Sequence, residues 1–265
     1  MPTGVCSKPT WSRIEGSNVL VLTYHSISDA GGPTSIPPAV FAAQMQVLAD
    51  LGRRTLRLNE FIDWHQGTNG DTGDGVLITF DDAFEDFARV AAPILQRHGF
   101  SALVFVPTRR LGSPEGWKGA NDPARPLMDW ATVRALASEG TEFGGHSRTH
   151  SDLTRLSATD REDEIAGCAE DISTQIGKPV AGFAAPYGRV SPEVVEAISR
   201  HYRAAFGTRL ALPERGRDRF DIPRIDMHYF RDRRHWAGLL EGRRNYLRLR
   251  QTLRAVRSRL VRASY

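Results

Sequence analysis

The chain has 265 residues, 40% hydrophobic and 25% charged, with 24 Gly and 15 Pro. That composition excludes a disordered, collagen-like or coiled-coil protein and suits one large α/β domain, while two distant cysteines, Cys6 and Cys168, exclude a disulfide framework or a CxxC metal knuckle. The net charge of +4 is uneven: residues 231–265 hold eleven arginines against Asp232 and Glu241, a local +9 that leaves −5 for residues 1–230.

No apolar run approaches the ~18 residues needed to span a bilayer. Residues 1–18 lack the basic-then-apolar order of a secretory leader. The expectation is a cytoplasmic protein with an N-terminal extension over 1–18, a main domain over 19–230 and a basic tail over 231–265.

Short apolar, β-branched runs alternate with helical patterns along the main domain. A strand is predicted at 19–24, then a helix at 41–51 with Phe41, Met45 and Leu48 on one face. A strand at 76–80 precedes a helix at 84–98, and a strand at 102–107 precedes the irregular stretch 111–127, rich in Gly and Pro. A loop that long inside a compact domain is more often functional than idle. Further helices are predicted at 130–138, 160–176 and 191–200, and further strands at 141–144, 180–184, 204–207 and 224–227. Ser191 before Pro192 reads as a helix start. Gly52, Gly99, Gly140 and Gly177 each stand just past a helix end. Seven strands alternating with helices imply a parallel sheet, either doubly wound or a (β/α) barrel.

Polar residues gather where these strands end. The run 76–80 leads into Asp81 and Asp82, 141–144 leads towards His146 and His150, and 180–184 leads into the Ala185-Pro186-Tyr187-Gly188 turn. His25 follows the first strand and His228 the last. In parallel α/β folds the C-terminal strand ends form the active-site face. Taken singly, these features have bland readings. An acidic pair after a strand often caps the next helix. Two histidines four apart share a face only if the segment is helical. Together, two histidines and a carboxylate form an open three-ligand metal set.

Thr79-Phe80-Asp81-Asp82, then His146-Ser147-Arg148-Thr149-His150, then Phe183-Ala184-Ala185-Pro186-Tyr187-Gly188 resembles the polysaccharide deacetylase family, the NodB-homology carbohydrate esterases. The opening Leu22-Thr23-Tyr24-His25 resembles its surface-polysaccharide branch. The likeness covers residues 19–228 and implies a deformed (β/α) barrel of about seven parallel strands that removes an acetyl group from an N-acetylated sugar with a divalent metal. Carried over by position, Asp81 matches the general base, and Asp82, His146 and His150 match the metal ligands. Zn2+ suits such an N2O set, with Co2+, Ni2+ or Fe2+ as alternatives. The metal polarises the acyl carbonyl and acidifies its bound water, the base takes a proton, and the Tyr187 backbone N–H helps hold the oxyanion.

Two departures stand out. The family's Leu-x-His acid motif is only approximated by Ile225-Asp226-Met227-His228, so the proton donor is His25 or His228, with His25 favoured. Many members also carry an arginine that orients the base where this chain has Ala184, and Arg224 is one candidate substitute. Trp130 and Trp117 are candidate sugar-stacking aromatics, Trp130 having core packing as its alternative. Glu115, Lys118 and Asp122 are candidate hydroxyl readers in the long loop. Two other readings remain: deacylation at oxygen, and a non-catalytic metal-dependent glycan-binding barrel.

From Trp236 onward, Leu239, Leu240, Leu247, Leu253, Val256 and Leu260 recur at about helical spacing with arginines opposite. The tail reads as a basic amphipathic helix that docks on the barrel, or contacts an anionic membrane at its inner face, where a free or lipid-linked carbohydrate substrate would be met. Nucleic acid is disfavoured, because no interleaved aromatic platform is present.

Overall fold

Strands β1 (Leu20–Tyr24), β2 (Val76–Phe80), β3 (Leu103–Val106), β4 (Glu142–Gly145), β5 (Gly182–Ala184), β6 (Ala204–Phe206) and β7 (Ile225–Asp226) are all parallel and lie in the order β6-β5-β4-β3-β2-β1-β7. Ile222 bridges Phe206 of β6, and a few residues on Ile225 and Asp226 pair with Leu22 and Thr23 of β1. One short segment therefore joins both edges of the sheet into a deformed (β/α) barrel. The computed structural model describes residues 18–68, 72–117 and 123–263. Cys6 and most of the N-terminal extension, Lys118, Asp122 and the Leu260 side chain lie outside that description.

The strands read as unbroken apolar runs because both faces are covered. Val19, Val21, Leu77, Leu103, Phe105, Ala184 and Phe206 fill the interior, while Leu20, Leu22, Ile78, Val104 and Phe183 meet the helices outside. The period of two continues past the apolar residues. It turns Thr23 and His25, Thr79 and Asp81, and Gly144 and His146 towards the interior at the C-terminal end. Gly144 must be glycine, since a Cβ there would stand 2.6 Å from the Gly182 carbonyl oxygen.

The surrounding helices are α1 (Pro38–Asp50), α2 (Leu58–Gln66), α3 (Ala92–Arg97), α4 (Trp130–Ser138), α5 (Ala158–Ile176), α6 (Pro192–His201), α7 (Arg233–Leu240) and α8 (Asn245–Ala263). α2 was not expected from the sequence. It floors the barrel, burying Leu58, Phe61, Ile62 and Trp64 in the interior cluster, and at its start the Glu60 carboxylate accepts the Arg57 N–H at 2.7 Å. The helix predicted at 84–98 is only partly α-helical: residues Phe87–Ala91 are π-helical, and the Ala92 N–H donates to the Phe87 carbonyl. Pro93 has no N–H to donate and crowds the preceding turn, which the wider turn absorbs.

The tail is two helices, divided at Gly242, where φ is 89°. Trp236 is fully buried, its indole N–H donating to the Gln44 carbonyl at 3.0 Å, so it packs α7 on the barrel and faces no surface. α8 begins on the barrel as well, with Leu247 buried and the Tyr246 hydroxyl donating to the Tyr229 carbonyl at 3.0 Å. Among the described residues, no helix is long and apolar enough to cross a membrane.

Candidate active site

The residues singled out at the ends of β1, β2 and β4 converge. His146 Nε2 and His150 Nε2 each lie 3.2 Å from Asp82 Oδ1, and the three side chains are buried. Among the described residues, this trio is the one group whose ligand atoms gather as a metal requires, all within 4.8 Å of one another. The His-x-x-x-His spacing does not work through a helix. Ser147 and His150 both take left-handed φ, and the Ser147 hydroxyl accepts the His150 N–H at 2.9 Å, folding the segment into a tight turn. Glu164 of α5, which sequence reading missed, holds that turn from outside. Its carboxylate accepts the N–H groups of Arg148 and Thr149 at 2.8 Å each and the Thr149 hydroxyl at 2.7 Å. The only cue in the sequence is an acidic run, Glu162-Asp163-Glu164, early in the helix that follows the histidines.

Non-glycine residues with positive φ are rare and costly, about 1–3 kcal/mol each where strained. Among the described residues there are five: Asp82, Ala83, Ser147, His150 and Tyr187. All five belong to this site, so the surrounding packing sustains a backbone that the sequence locally resists.

Asp81 sits beside the trio but faces the barrel interior. Arg224 binds it through both carboxylate oxygens, Nη1 to Oδ1 at 2.7 Å and Nη2 to Oδ2 at 2.8 Å. Arg224 is itself fixed by donating to the Gly207 carbonyl at 2.9 Å and the Thr79 hydroxyl at 3.1 Å. The guanidinium therefore fixes the Asp81 carboxylate, a contact that the methyl group of Ala184 could not make. Ala184 contributes its carbonyl instead, 2.6 Å from His146 Nδ1. Held there through Nδ1, the His146 ring turns its Nε2 towards Asp82 Oδ1 and the point the trio shares.

Burial pushes both aspartates up, and their partners reverse the sign. For Asp81 the Arg224 charge and hydrogen bonds hold the carboxyl below its ordinary range. For Asp82 the hydrogen bonds to His146 and His150 hold it far below. Burial lowers His150, and its neighbour's charge adds to that. For His146 burial also lowers the pKa, but Asp82 and Asp81 outweigh it and the net shift is upward. Two imidazole nitrogens and an anionic oxygen aimed at one point fit a divalent transition metal. His150 Nδ1 is buried with no hydrogen-bond partner among the described residues.

His25 and His228 are placed differently. His25 Nε2 lies 3.9 Å from Asp81 Oδ2, on a ring one-quarter exposed. The loop behind it is pinned by Asp86, which accepts the Ser26 hydroxyl at 2.5 Å and the Ile27 N–H at 2.8 Å. His228 Nδ1 instead accepts from Arg231 at 3.0 Å, and burial with the Arg231 charge lowers its pKa. Tyr187 takes φ 60°, with its ring edge-on to His150 at 4.8 Å between centroids.

In the long loop, Trp117 stacks on His150 at 3.8 Å between centroids. Glu115 does not present a free carboxylate as a hydroxyl reader should. It is buried and held by Arg125, with Nε to Oε1 at 2.6 Å and Nη2 to Oε2 at 3.0 Å. Trp130 is half-buried and packs against the outer core.

The polysaccharide deacetylase family model matches residues 68–205, about half of the chain. YxkH of Bacillus subtilis (strain 168), whose name places it among polysaccharide deacetylases, is 25% identical over 191 residues, spanning 72% of this chain and 64% of that protein. Among solved structures, IcaB from Ammonifex degensii has a TM-score of 0.73 at 22% identity, covering 85% of this chain and 97% of its own. The Streptococcus pyogenes deacetylase PplD, in complex with acetate, has a TM-score of 0.69 at 22% identity, covering 78% and 91%. At those identities the structural likeness concerns the fold. The family model spans β2 to β5, the stretch that supplies Asp81, Asp82, His146, His150 and Tyr187, and the chain accordingly belongs to the polysaccharide deacetylase family.

Proposed function

We propose that the protein hydrolyses the acetamido group of an N-acetylated sugar in a polysaccharide or its free or lipid-linked precursor, with zinc held by Asp82, His146 and His150. The observation that carries this reading is the buried Arg224–Asp81 pair beside that trio, because it keeps a carboxylate anionic and fixed where a water must lose a proton. Bound metal supplies Lewis acidity that polarises the acyl carbonyl and eases deprotonation of water.

The chain's own residues supply the remaining steps. Asp81 takes a proton from the attacking water as the new C–O bond forms. The Tyr187 backbone N–H donates to the oxyanion, and the left-handed backbone there sets its direction. Collapse breaks the C–N bond, and the leaving nitrogen needs a proton. His25 supplies it, being within 4 Å of Asp81, whereas His228 is engaged by Arg231. Acetate and a free amine leave.

The test is acetate release from N-acetylglucosamine oligomers by the zinc-loaded protein. Asp81→Asn should reduce turnover to background with zinc still bound. Equal acetate release by wild type and Asp81→Asn would remove the base from the mechanism and with it this reading.

A further inference from the structure

α8 carries two faces with different fates. Leu247 is buried against the barrel, and Gln251 donates to the Leu210 carbonyl at 2.9 Å. At 3.6 residues per turn, Leu249, Leu253 and Val256 fall within a strip about 60° wide, on the side opposite Leu247 and Gln251. These three are 52%, 49% and 48% exposed, so among the described residues the strip is left open to solvent. The helix sequence from Asn245 to Ala263 holds six arginines and no acid. Exposed Arg248 flanks the strip on one side and exposed Arg257 on the other, while Arg250 lies over the Tyr229 ring at 4.3 Å.

We infer that α8 docks this protein on an anionic lipid surface, with Leu249, Leu253 and Val256 inserted among the headgroups and the flanking arginines on lipid phosphates. Charge chooses the occupant. Two copies of α8 laid strip to strip would set arginine ranks against each other with no acid on either helix to pair them. An anionic bilayer offers apolar depth under the strip and negative charge on both flanks. Leu249, Leu253 and Val256 are half-exposed and lie outside the buried core, so they can be exchanged without disturbing it.

The docked orientation has a consequence for the site. Gln251, Arg254 and Ala255, on the barrel side of α8, line a groove of about 600 Å³ with Gly188, Thr208 and Leu210. Gly188 follows Tyr187, so the groove opens beside the active site. A bilayer under α8 would lie about one helix diameter, ~10 Å, from that groove. This placement suits the lipid-linked substrate of the proposed function, but the docking does not depend on that reading.

The experiment is co-sedimentation of the full chain with vesicles of phosphatidylglycerol and phosphatidylcholine, against vesicles of phosphatidylcholine alone. The protein should pellet with the anionic vesicles and be released by raising salt to about 0.5 M, where the Debye length falls to a few ångströms. Leu249→Ser/Leu253→Ser/Val256→Ser should lower vesicle affinity about tenfold or more. Its circular dichroism and melting temperature should stay at wild-type values, as should acetate release from soluble oligomers. Arg248→Gln/Arg257→Gln should erase the preference for anionic vesicles. Binding that is absent, or equal in wild type and the triple serine variant, overturns the inference. So does a dimer in sedimentation velocity that the triple variant abolishes, since a second copy would then cover the strip.

Discussion

Arg224 and Asp81 face each other across the barrel interior through two parallel hydrogen bonds of 2.7 and 2.8 Å, although 143 residues separate them in the chain. Both side chains are almost fully buried, so the pair stands or falls as a unit. Arg224→Ala leaves a buried carboxylate without its cation and should cost about 3–5 kcal/mol in denaturant unfolding. Arg224→Ala/Asp81→Asn should recover part of that loss. Arg224→Lys keeps the charge but loses the fork, and kcat should fall about 10- to 100-fold.

The trio at Asp82, His146 and His150 should bind about one equivalent of transition metal per chain, measured by elemental analysis of purified protein. His146→Ala should lose it. Chelation should also lower the melting temperature of the wild type, because a metal bound to the folded state stabilises it by mass action. A wild type that takes up no metal after incubation with zinc or cobalt would contradict the assignment.

Glu164 accepts three hydrogen bonds from the Arg148–Thr149 turn without touching the trio. Glu164→Ala should weaken zinc affinity about 10- to 100-fold, as is usual for outer partners of metal ligands. Competition titration with a zinc-binding dye reads the difference. Unchanged affinity would mean that the backbone turn holds itself.

Acid should reach the fold through Asp171. Burial pushes its carboxyl up, but hydrogen bonds from Arg148 and Thr108, with the Arg148 charge, outweigh this and hold it below the ordinary range. A carboxyl depressed on folding contributes stability that is complete above its unfolded value, about 3.9, and is lost as pH falls through the folded value. Unfolding free energy should therefore drop below about pH 4, and Asp171→Asn should flatten that limb.

Much of this architecture was legible because parity survives the ends of the strands. Val19, Val21, Thr23 and His25 alternate onto the interior face, and so do Leu77, Thr79 and Asp81, so hydrophobic pattern alone predicts which polar residues meet. What escaped depends on contacts between distant segments. α2 has only nine residues, and its apolar side has meaning only as a floor beneath the other strands. The turn between His146 and His150 relies on positive φ at Ser147, which nothing local favours, and on Glu164 from the next helix. Arg224 was recognisable as a candidate partner for Asp81, but its position follows from the closure of the sheet. The tail's apolar residues fall on two helices rather than the one expected: Gly242 splits them, and Trp236 belongs to the half that is buried.

Arg224 lies between Ile222, which bridges β6, and Ile225, which pairs with β1. The residue that grips Asp81 is thus carried on the clasp that completes the ring. A chain with its first six strands assembled but its clasp undone already has Asp82, His146 and His150 at hand, yet leaves Asp81 without its guanidinium. Closure of the ring and the grip on Asp81 are therefore one event: whatever opens the seam between β6 and β1 also releases the carboxylate that the proposed reaction uses as its base.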